Sequence, residues 1–388
     1  MKGKPGLVIL LFILLAASCD TLPPEILTPI YPSITQTPTL PQGGTGQPVT
    51  PPPGGTASPV DIPLPAAYGV KGSWYELYFT NPNSPVAPQK TGGADGPLVT
   101  AIDAAKLTID AAMYSLSLDS VRAALIRAQR RGVQVRAVME SDNMDRGDPQ
   151  ALIEAGIPVL GDRREGLMHN KFIVIDNSEV WTGSMNFTDS SAYRDNNNLM
   201  RIHSTKVAED YTTEFNEMFV DDKFGPDKGS ATPNPRVTLD GTPLDIYFSP
   251  DDNIANNLLD LLHNAEESIY FMAYSFTSDP LGEAIRARAE EGVTVEGVMD
   301  SGQIDSNLGT EFDPFRQAGL DIRRDGNVNG LLHHKVMIID EQIVIMGSYN
   351  FTNNAETRND ENLIVIYDPF IAAQYVAEFQ RDFAQAAQ

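Results

Sequence analysis

The chain has 388 residues, enough for two ordinary domains or for one body built by duplication. Its 52 acidic against 28 basic side chains give a formal charge of -24, which excludes broad electrostatic capture of nucleic acid, so any polyanion must be handled locally. The single cysteine excludes a disulfide within one chain.

Residues 1–18 read as an export signal: Lys2 and Lys4 precede the apolar run LVILLFILLAAS, which is shorter than the roughly 20 apolar residues of a spanning helix. The AASC that ends this run at Cys19 resembles the lipobox of bacterial lipoproteins, with Ala16 where that family prefers Leu. The resemblance implies lipidation of Cys19 and an exported body held on the outer face of a cell-envelope membrane. An ordinary cleaved signal with an incidental cysteine is the alternative. From residue 19 to residue 68 Pro, Thr, Gly and Ser dominate. Such a segment buries too little apolar surface to offset its ordering entropy, so an extended linker is expected.

Two similar lobes are expected beyond it, over 69–220 and 243–388, joined by a turn-rich linker over 221–242. LTIDAAMYSL and SIYFMAYSF are short, apolar and β-branched or aromatic, and suit buried strands. SVRAALIRAQRRG and PLGEAIRARAEEG follow with helical spacing and closing glycines, Gly132 and Gly292. VQVRAVME and VTVEGVMD return to strand. This order predicts parallel pairing. KFIVID with EVWTGS, and KVMIID with QIVIMGS, predict hairpins, and KVAEDYTTEFNEMF and PFIAAQYVAEFQRDF predict closing amphipathic helices. The expected class is α/β: two lobes, each a mixed, mostly parallel sheet flanked by helices, related by a pseudo-twofold axis.

Each hairpin is entered through a similar decapeptide, LMHNKFIVID and LLHHKVMIID. Side chains two apart on a strand share a face, so His169 pairs with Lys171 and His333 with Lys335, while Asn170 and His334 point the other way. GSMN, with Ser184 and Asn186, and GSYN, with Ser348 and Asn350, add tight turns, hydroxyls and amides. If the lobes pack face to face, two cations and several neutral donors converge, an array suited to a phosphate oxyanion. A lone H-x-K would be only the end of a strand, but here the whole pattern recurs.

These residues resemble the phospholipase D superfamily, whose signature is His, any residue, Lys, four residues and Asp, followed by Gly-Ser-X-Asn. His169, Lys171 and Asp176 fit it, as do His333, Lys335 and Asp340. The second copy, with YFSPDDN and NFTNNAETRNDENL, is similar to the bacterial nuclease and mitochondrial cardiolipin hydrolase branch. The resemblance implies a phosphodiesterase that needs no metal or cofactor, in which one histidine forms a phosphohistidine and the other protonates the leaving alkoxide. It also implies that Glu361 orients the nearby histidine, read as His333; the first copy has Asn197 there instead. A carboxylate favours imidazolium, so His333 is expected as the acid and His169 as the nucleophile. Asp176 and Asp340 are read as structural, Ser184 and Ser348 as turn or phosphate donors.

The expected substrate is a phospholipid, hydrolysed or transferred. A tethered endonuclease is the alternative and a non-catalytic binding module the second. One chain holds both motifs, so no obligate oligomer is expected. The arginine pairs Arg163-Arg164 and Arg323-Arg324 are solvated loops or phosphate-steering groups.

Overall fold

The computed structural model describes residues 59–386; the stretch read as an export signal, Cys19 and most of the stretch read as a linker lie outside the described residues. Among the described residues no helix is long and apolar enough to cross a membrane.

The first sheet is built from β1 (Val60–Leu64), β2 (Ala67–Lys71), β3 (Tyr75–Thr80), β4 (Thr108–Met113), β5 (Gln134–Met139), β6 (Val159–Gly161), β7 (Lys171–Ile175), β8 (Glu179–Gly183) and β9 (Asn198–His203). Their order across the sheet is β1-β2-β3-β9-β8-β7-β4-β5-β6. The second sheet contains β10 (Arg236–Leu239), β11 (Thr242–Ser249), β12 (Ser268–Ala273), β13 (Thr294–Met299), β14 (Asp321–Arg324), β15 (Lys335–Ile339), β16 (Ile343–Gly347) and β17 (Glu361–Tyr367). It runs β10-β11-β17-β16-β15-β12-β13-β14.

Both sheets are mixed, but parallel pairing is confined to β4-β5-β6 and β12-β13-β14. The expectation of mostly parallel sheets is therefore corrected. Strand, helix, strand units do give parallel neighbours, but each hairpin, and the strands added beyond it, contribute antiparallel ones.

The lobe boundaries also move. β1 lies inside the stretch assigned to the linker and β2 begins in it, and they extend the first sheet back to Val60. Pro63 hid this strand in the sequence; it is tolerated because β1 is an edge strand. The inter-lobe segment contributes β10 to the second sheet and buries Phe224 and Lys228, so it is part of the body rather than a solvated connection.

Every residue of β7 and β15 is buried, which explains their unbroken apolar runs. Phe172 and Val174 join Val336 and Ile338 in a core shared by the two sheets, together with Tyr211 and Phe215 from the helix Thr205–Phe219 and Tyr375 and Phe379 from the helix Pro369–Gln385. Ile173 and Ile175 face the first lobe's own helical layer, and Met337 and Ile339 face the second's. The period-two alternation of a strand thus divides each run between two cores.

The lobes exchange backbone bonds reciprocally. His169 N–H donates to Asp360 O at 3.0 Å and Asp360 N–H to Leu167 O at 2.8 Å. His333 N–H donates to Asn196 O at 2.9 Å and Asn196 N–H to Leu331 O at 2.8 Å. Each contact is the image of the other, the pattern of an isologous twofold interface drawn inside one chain.

Candidate active site

Both histidines stand at the entrance of a strand, just ahead of β7 and β15, beside the carboxyl ends of the parallel strands β4 and β12. Their backbones are pinned to the opposite lobe, and their rings are held there too. His169 Nδ1 lies 2.7 Å from Glu361 Oε2, and His333 Nδ1 lies 2.9 Å from Asn197 Oδ1. Glu361 therefore serves His169, not the histidine of its own repeat, and the expected pairing with His333 is overturned. The cause is the lobe exchange: once Asp360 bonds the backbone around His169, the next side chain, Glu361, reaches the ring. With Nδ1 engaged on both rings, Nε2 is the atom left for chemistry.

The lysines are built into the same frame. Lys171 Nζ donates to His169 O at 2.6 Å and Lys335 Nζ to His333 O at 2.8 Å. Lys171 also lies 5.0 Å from the ring centre of Tyr114, and Lys335 lies 4.7 Å from that of Tyr274. The same tyrosine rings meet His169 and His333 edge to face at 4.9 Å and 4.8 Å. Ammonium, imidazole and phenol ring thus brace one another in each half.

The Gly-Ser-X-Asn turns support the ring partners. Ser184 Oγ donates to Asn197 Oδ1 at 2.8 Å, and Ser348 Oγ donates to Glu361 Oε2 at 2.8 Å. Each hydroxyl also accepts a backbone N–H at 3.0 Å, from Asn198 or Asn362. The turns demand glycine: a Cβ on Gly183 would stand 2.4 Å from Asn198 O, and one on Gly347 would stand 2.3 Å from Asn362 O. Asn186 Oδ1 and Asn350 Oδ1 are buried without a hydrogen-bond partner, so these two amides remain available at the site.

Electrostatically the site awaits an anion. Burial lowers His169 to about 4, with Lys171 and Lys335 acting in the same direction and Glu361 against them. Burial, then Lys335 and Lys171, hold His333 well below the ordinary imidazole value. Lys171 is brought down to about 7 by burial, which Glu361 opposes, and Lys335 is held well below the ordinary lysine value by burial and by Lys171. Burial opposes ionisation of Glu361, but His169, Lys171 and Ser348 outweigh it and keep the carboxyl below its usual range. A phosphodiester entering this cluster would favour the protonated form of every cation around it.

Asp176 and Asp340 take no part in the cleft. Each closes a hairpin at positive φ and gives its carboxylate to three successive backbone N–H groups, Lys106 to Thr108 and Glu266 to Ser268 respectively. The arginine pairs are each engaged by carboxylates. Arg163 pairs with Asp222 and Arg164 with Asp360, while Arg323 pairs with Asp321 and Arg324 with Asp305.

Sequence reasoning passed over Tyr114 and Tyr274, although both recur in the aligned stretches AAMYS and FMAYS. It also passed over Glu140 and Asp300, the last residues of VQVRAVME and VTVEGVMD. Glu140 Oε2 accepts Met168 N–H at 3.0 Å and Asp300 Oδ2 accepts Leu332 N–H at 3.1 Å, fixing the residue before each histidine. Recurrence at matching places was the available signal.

Comparison with known proteins agrees with this duplicated site. The family model described as "Cardiolipin synthase, PLD-like domain" matches twice, over residues 98–219 and 258–383. The chain is 32% identical over 134 residues to a mitochondrial cardiolipin hydrolase of Chlamydomonas reinhardtii, covering 34% of this chain and 59% of that protein. It is 37% identical over 132 residues to a phospholipase D of Rickettsia typhi, covering 33% of this chain and 62% of that protein. The chain therefore spans about three fifths of the length of these relatives. In fold it is similar to the phosphatidylserine synthase of Haemophilus influenzae, with a TM-score of 0.58 at 15% identity, over 77% of this chain and 84% of that one. With a matching domain in each lobe and the His, Lys and Gly-Ser-X-Asn residues of both drawn into one cleft, the chain belongs to the phospholipase D-like domain family.

Proposed function

We propose that the protein is a phosphodiesterase of phospholipase D type acting on phospholipids. The observation that carries this reading is the cross-lobe clamping of two imidazoles, each by Nδ1, with two ammonium groups beside them. His169 Nε2 attacks phosphorus and the bond to the leaving alkoxide breaks. His333 gives that alkoxide a proton from Nε2. Neutral His333 then takes a proton from water, whose oxygen displaces His169 and releases a phosphomonoester; an alcohol in place of water gives transfer. Lys171, Lys335, Asn186 and Asn350 stabilise the charged equatorial oxygens, and no metal ion enters the step.

The assignment of His169 as nucleophile keeps the expected role but replaces its reason. Attack leaves the His169 ring positively charged, which Glu361 stabilises. A general acid must instead surrender its proton, and the Asn197 amide holds it less tightly than a carboxylate would.

A cleft of about 370 Å³ beside the site is lined by Tyr274, Gln303, Asn307, Asn350, Thr352 and Asn359, among others, and by no lysine or arginine. Amides and hydroxyls of this kind suit a polar head group. A tracked nucleic acid strand would need a basic path, which neither this cleft nor the charge of -24 supplies. The tether read at Cys19 would bring the site to a membrane surface.

The test is hydrolysis by the full chain of phosphatidylcholine, cardiolipin and single-stranded DNA, with His169→Ala and His333→Ala beside it. Lipid turnover, abolished by either substitution, is expected. Near wild-type turnover in either variant would contradict the shared site, and salt-sensitive DNA cleavage without lipid turnover would move the substrate to the endonuclease reading.

A further inference from the structure

The residue after His333 faces the other way. His334 is fully buried against the shared core, its ring edge to face with Phe79 at 6.3 Å. Its Nε2 lies 3.4 Å from Glu378 Oε1 and 3.8 Å from Asp382 Oδ2. Hydrogen bonds from nitrogen to oxygen cluster near 2.7–3.2 Å, and neither His334 Nε2 nor Asp382 Oδ2 has a hydrogen-bond partner. Ligands at about 2.0–2.2 Å around a tetrahedral ion stand about 3.3–3.6 Å apart; the 3.4 Å separation falls in that range, the 3.8 Å one is slightly longer, and all three atoms lie within 4.8 Å of one another.

Outer contacts aim these atoms inward. Asn196 Nδ2 donates to Asp382 Oδ1 at 2.8 Å, leaving Oδ2 toward His334. Arg381 Nε donates to Glu378 Oε2 at 2.8 Å, leaving Oε1 free. Asn198 adjoins His334 Nδ1 at 3.0 Å through its amide nitrogen, while its own Oδ1 is buried without a partner. Turned over, that amide accepts Nδ1–H and gives Nε2 a lone pair, the usual support of a metal-bound histidine.

The first lobe shows what this place contains elsewhere. The pseudo-twofold axis carries His334, Glu378 and Asn196 onto Asn170, Glu214 and Asp360. There the buried ammonium of Lys228 lies 2.5 Å from Glu214 and 3.2 Å from Asp360. A cation neutralises that pocket. In the second lobe, Asp382 has no lysine or arginine within ion-pair distance among the described residues, and Arg381 meets only the outer oxygen of Glu378.

We propose that His334 Nε2, Glu378 Oε1 and Asp382 Oδ2 bind one divalent ion of the zinc class, a structural clamp between β15 and the helix Pro369–Gln385 that stands where the first lobe uses Lys228. One imidazole and two carboxylates suit Zn²⁺ or Mn²⁺, whereas Ca²⁺ asks for six to eight oxygens. The ion lies on the opposite face of its strand from His333, so it anchors the fold and leaves the phosphoryl chemistry to the histidines.

The test is elemental analysis and thermal melting of the tag-free full chain, dialysed against chelator and then returned to Zn²⁺, Mn²⁺ or Ca²⁺. One equivalent of Zn²⁺ per chain is expected, with a melting temperature several degrees above the stripped protein and little response to Ca²⁺. His334→Asn and Asp382→Met, which install the first lobe's residues, should lose both effects. If these variants fold poorly, X-ray absorption of the zinc-loaded wild type decides: nitrogen and oxygen neighbours at about 2.0–2.2 Å are expected. Equal melting temperatures with and without metal, or stoichiometric zinc retained by both variants, would overturn the site.

Discussion

His169 Nδ1 meets a carboxylate, Glu361 Oε2 at 2.7 Å, while its counterpart His333 Nδ1 meets an amide, Asn197 Oδ1 at 2.9 Å. Everything else about the two rings is nearly symmetrical, including the lysine, tyrosine and serine around each. In the proposed mechanism the one substitution that breaks the symmetry also divides the labour. Glu361→Gln preserves size and the Ser348 contact but removes the charge that steadies the phosphorylated ring. We expect kcat to fall by about 10²–10⁴-fold with KM within a few-fold, as when an orienting carboxylate is neutralised in other histidine systems. Steady-state kinetics check this; an equal or larger loss in Asn197→Ala would reverse the roles of the two halves.

Anion affinity should depend on pH through Lys171. Its ammonium is poised near 7, below the ordinary lysine value, because burial disfavours the charge more than Glu361 restores it. Raising the pH removes a cation from the empty cleft, so binding weakens with alkalinity. Tungstate affinity, measured as a competitive inhibition constant, should lose up to about tenfold per unit as the pH rises through about 7 and Lys171 loses its proton, on top of the proton-linked loss from the other depressed cations, His169 among them. Lys171→Met should weaken binding and flatten the profile.

The Gly-Ser-X-Asn turns should not accept even one methyl group. In Gly183→Ala the new carbon would lie 2.4 Å from the Asn198 carbonyl oxygen, which is backbone and cannot turn aside. A loss of about 1–3 kcal/mol is expected, typical of overpacking in a buried site. Urea unfolding of the full chain measures it. Gly132→Ala is the control for a glycine whose Cβ would meet nothing within 4 Å, although its φ of 92 still carries a strain cost.

Asp360 holds the lobes together as an ion-pair hub. Its buried carboxylate accepts from Arg164 Nη2 at 2.6 Å and from Gly225 N–H at 2.7 Å, and Lys228 Nζ lies 3.2 Å away. Asp360→Ala strands part of the charge on a fully buried ammonium, and a loss of about 3–5 kcal/mol follows. Because the Asp360 backbone also anchors His169, denaturant melts and activity should fall together.

Much of this was written in the sequence, and the limits are physical. The duplicated decapeptides gave the site its two histidines and lysines, since residues two apart on a strand must share a face. The alternation of Phe172 and Val174 with Ile173 and Ile175 marked strands buried on both sides. What a repeat cannot declare is which copy serves which. Glu361 beside His333 and Glu361 beside His169 are equally consistent with the linear pattern, and only the exchanged backbone bonds of Asp360 and Asn196 decide. Edge strands were illegible for a related reason: β1 contains Pro63 and exposed positions, so neither propensity nor periodicity separates it from a linker. Nothing in the turn-rich segment marks Lys228 for burial; its place follows only from Glu214 and Asp360, one from each lobe, which close over it.

The division of roles between the histidines is tested most directly by trapping the covalent intermediate. Substrate turnover is quenched in alkali, where phosphohistidine survives, and the peptides are mapped by mass. The phosphoryl adduct is expected on the peptide containing His169 and should vanish in His169→Ala; with a nitrophenyl phosphodiester, whose leaving group needs no proton, it should accumulate in His333→Ala. An adduct carried by His333, or turnover with no adduct on either ring, would contradict the account.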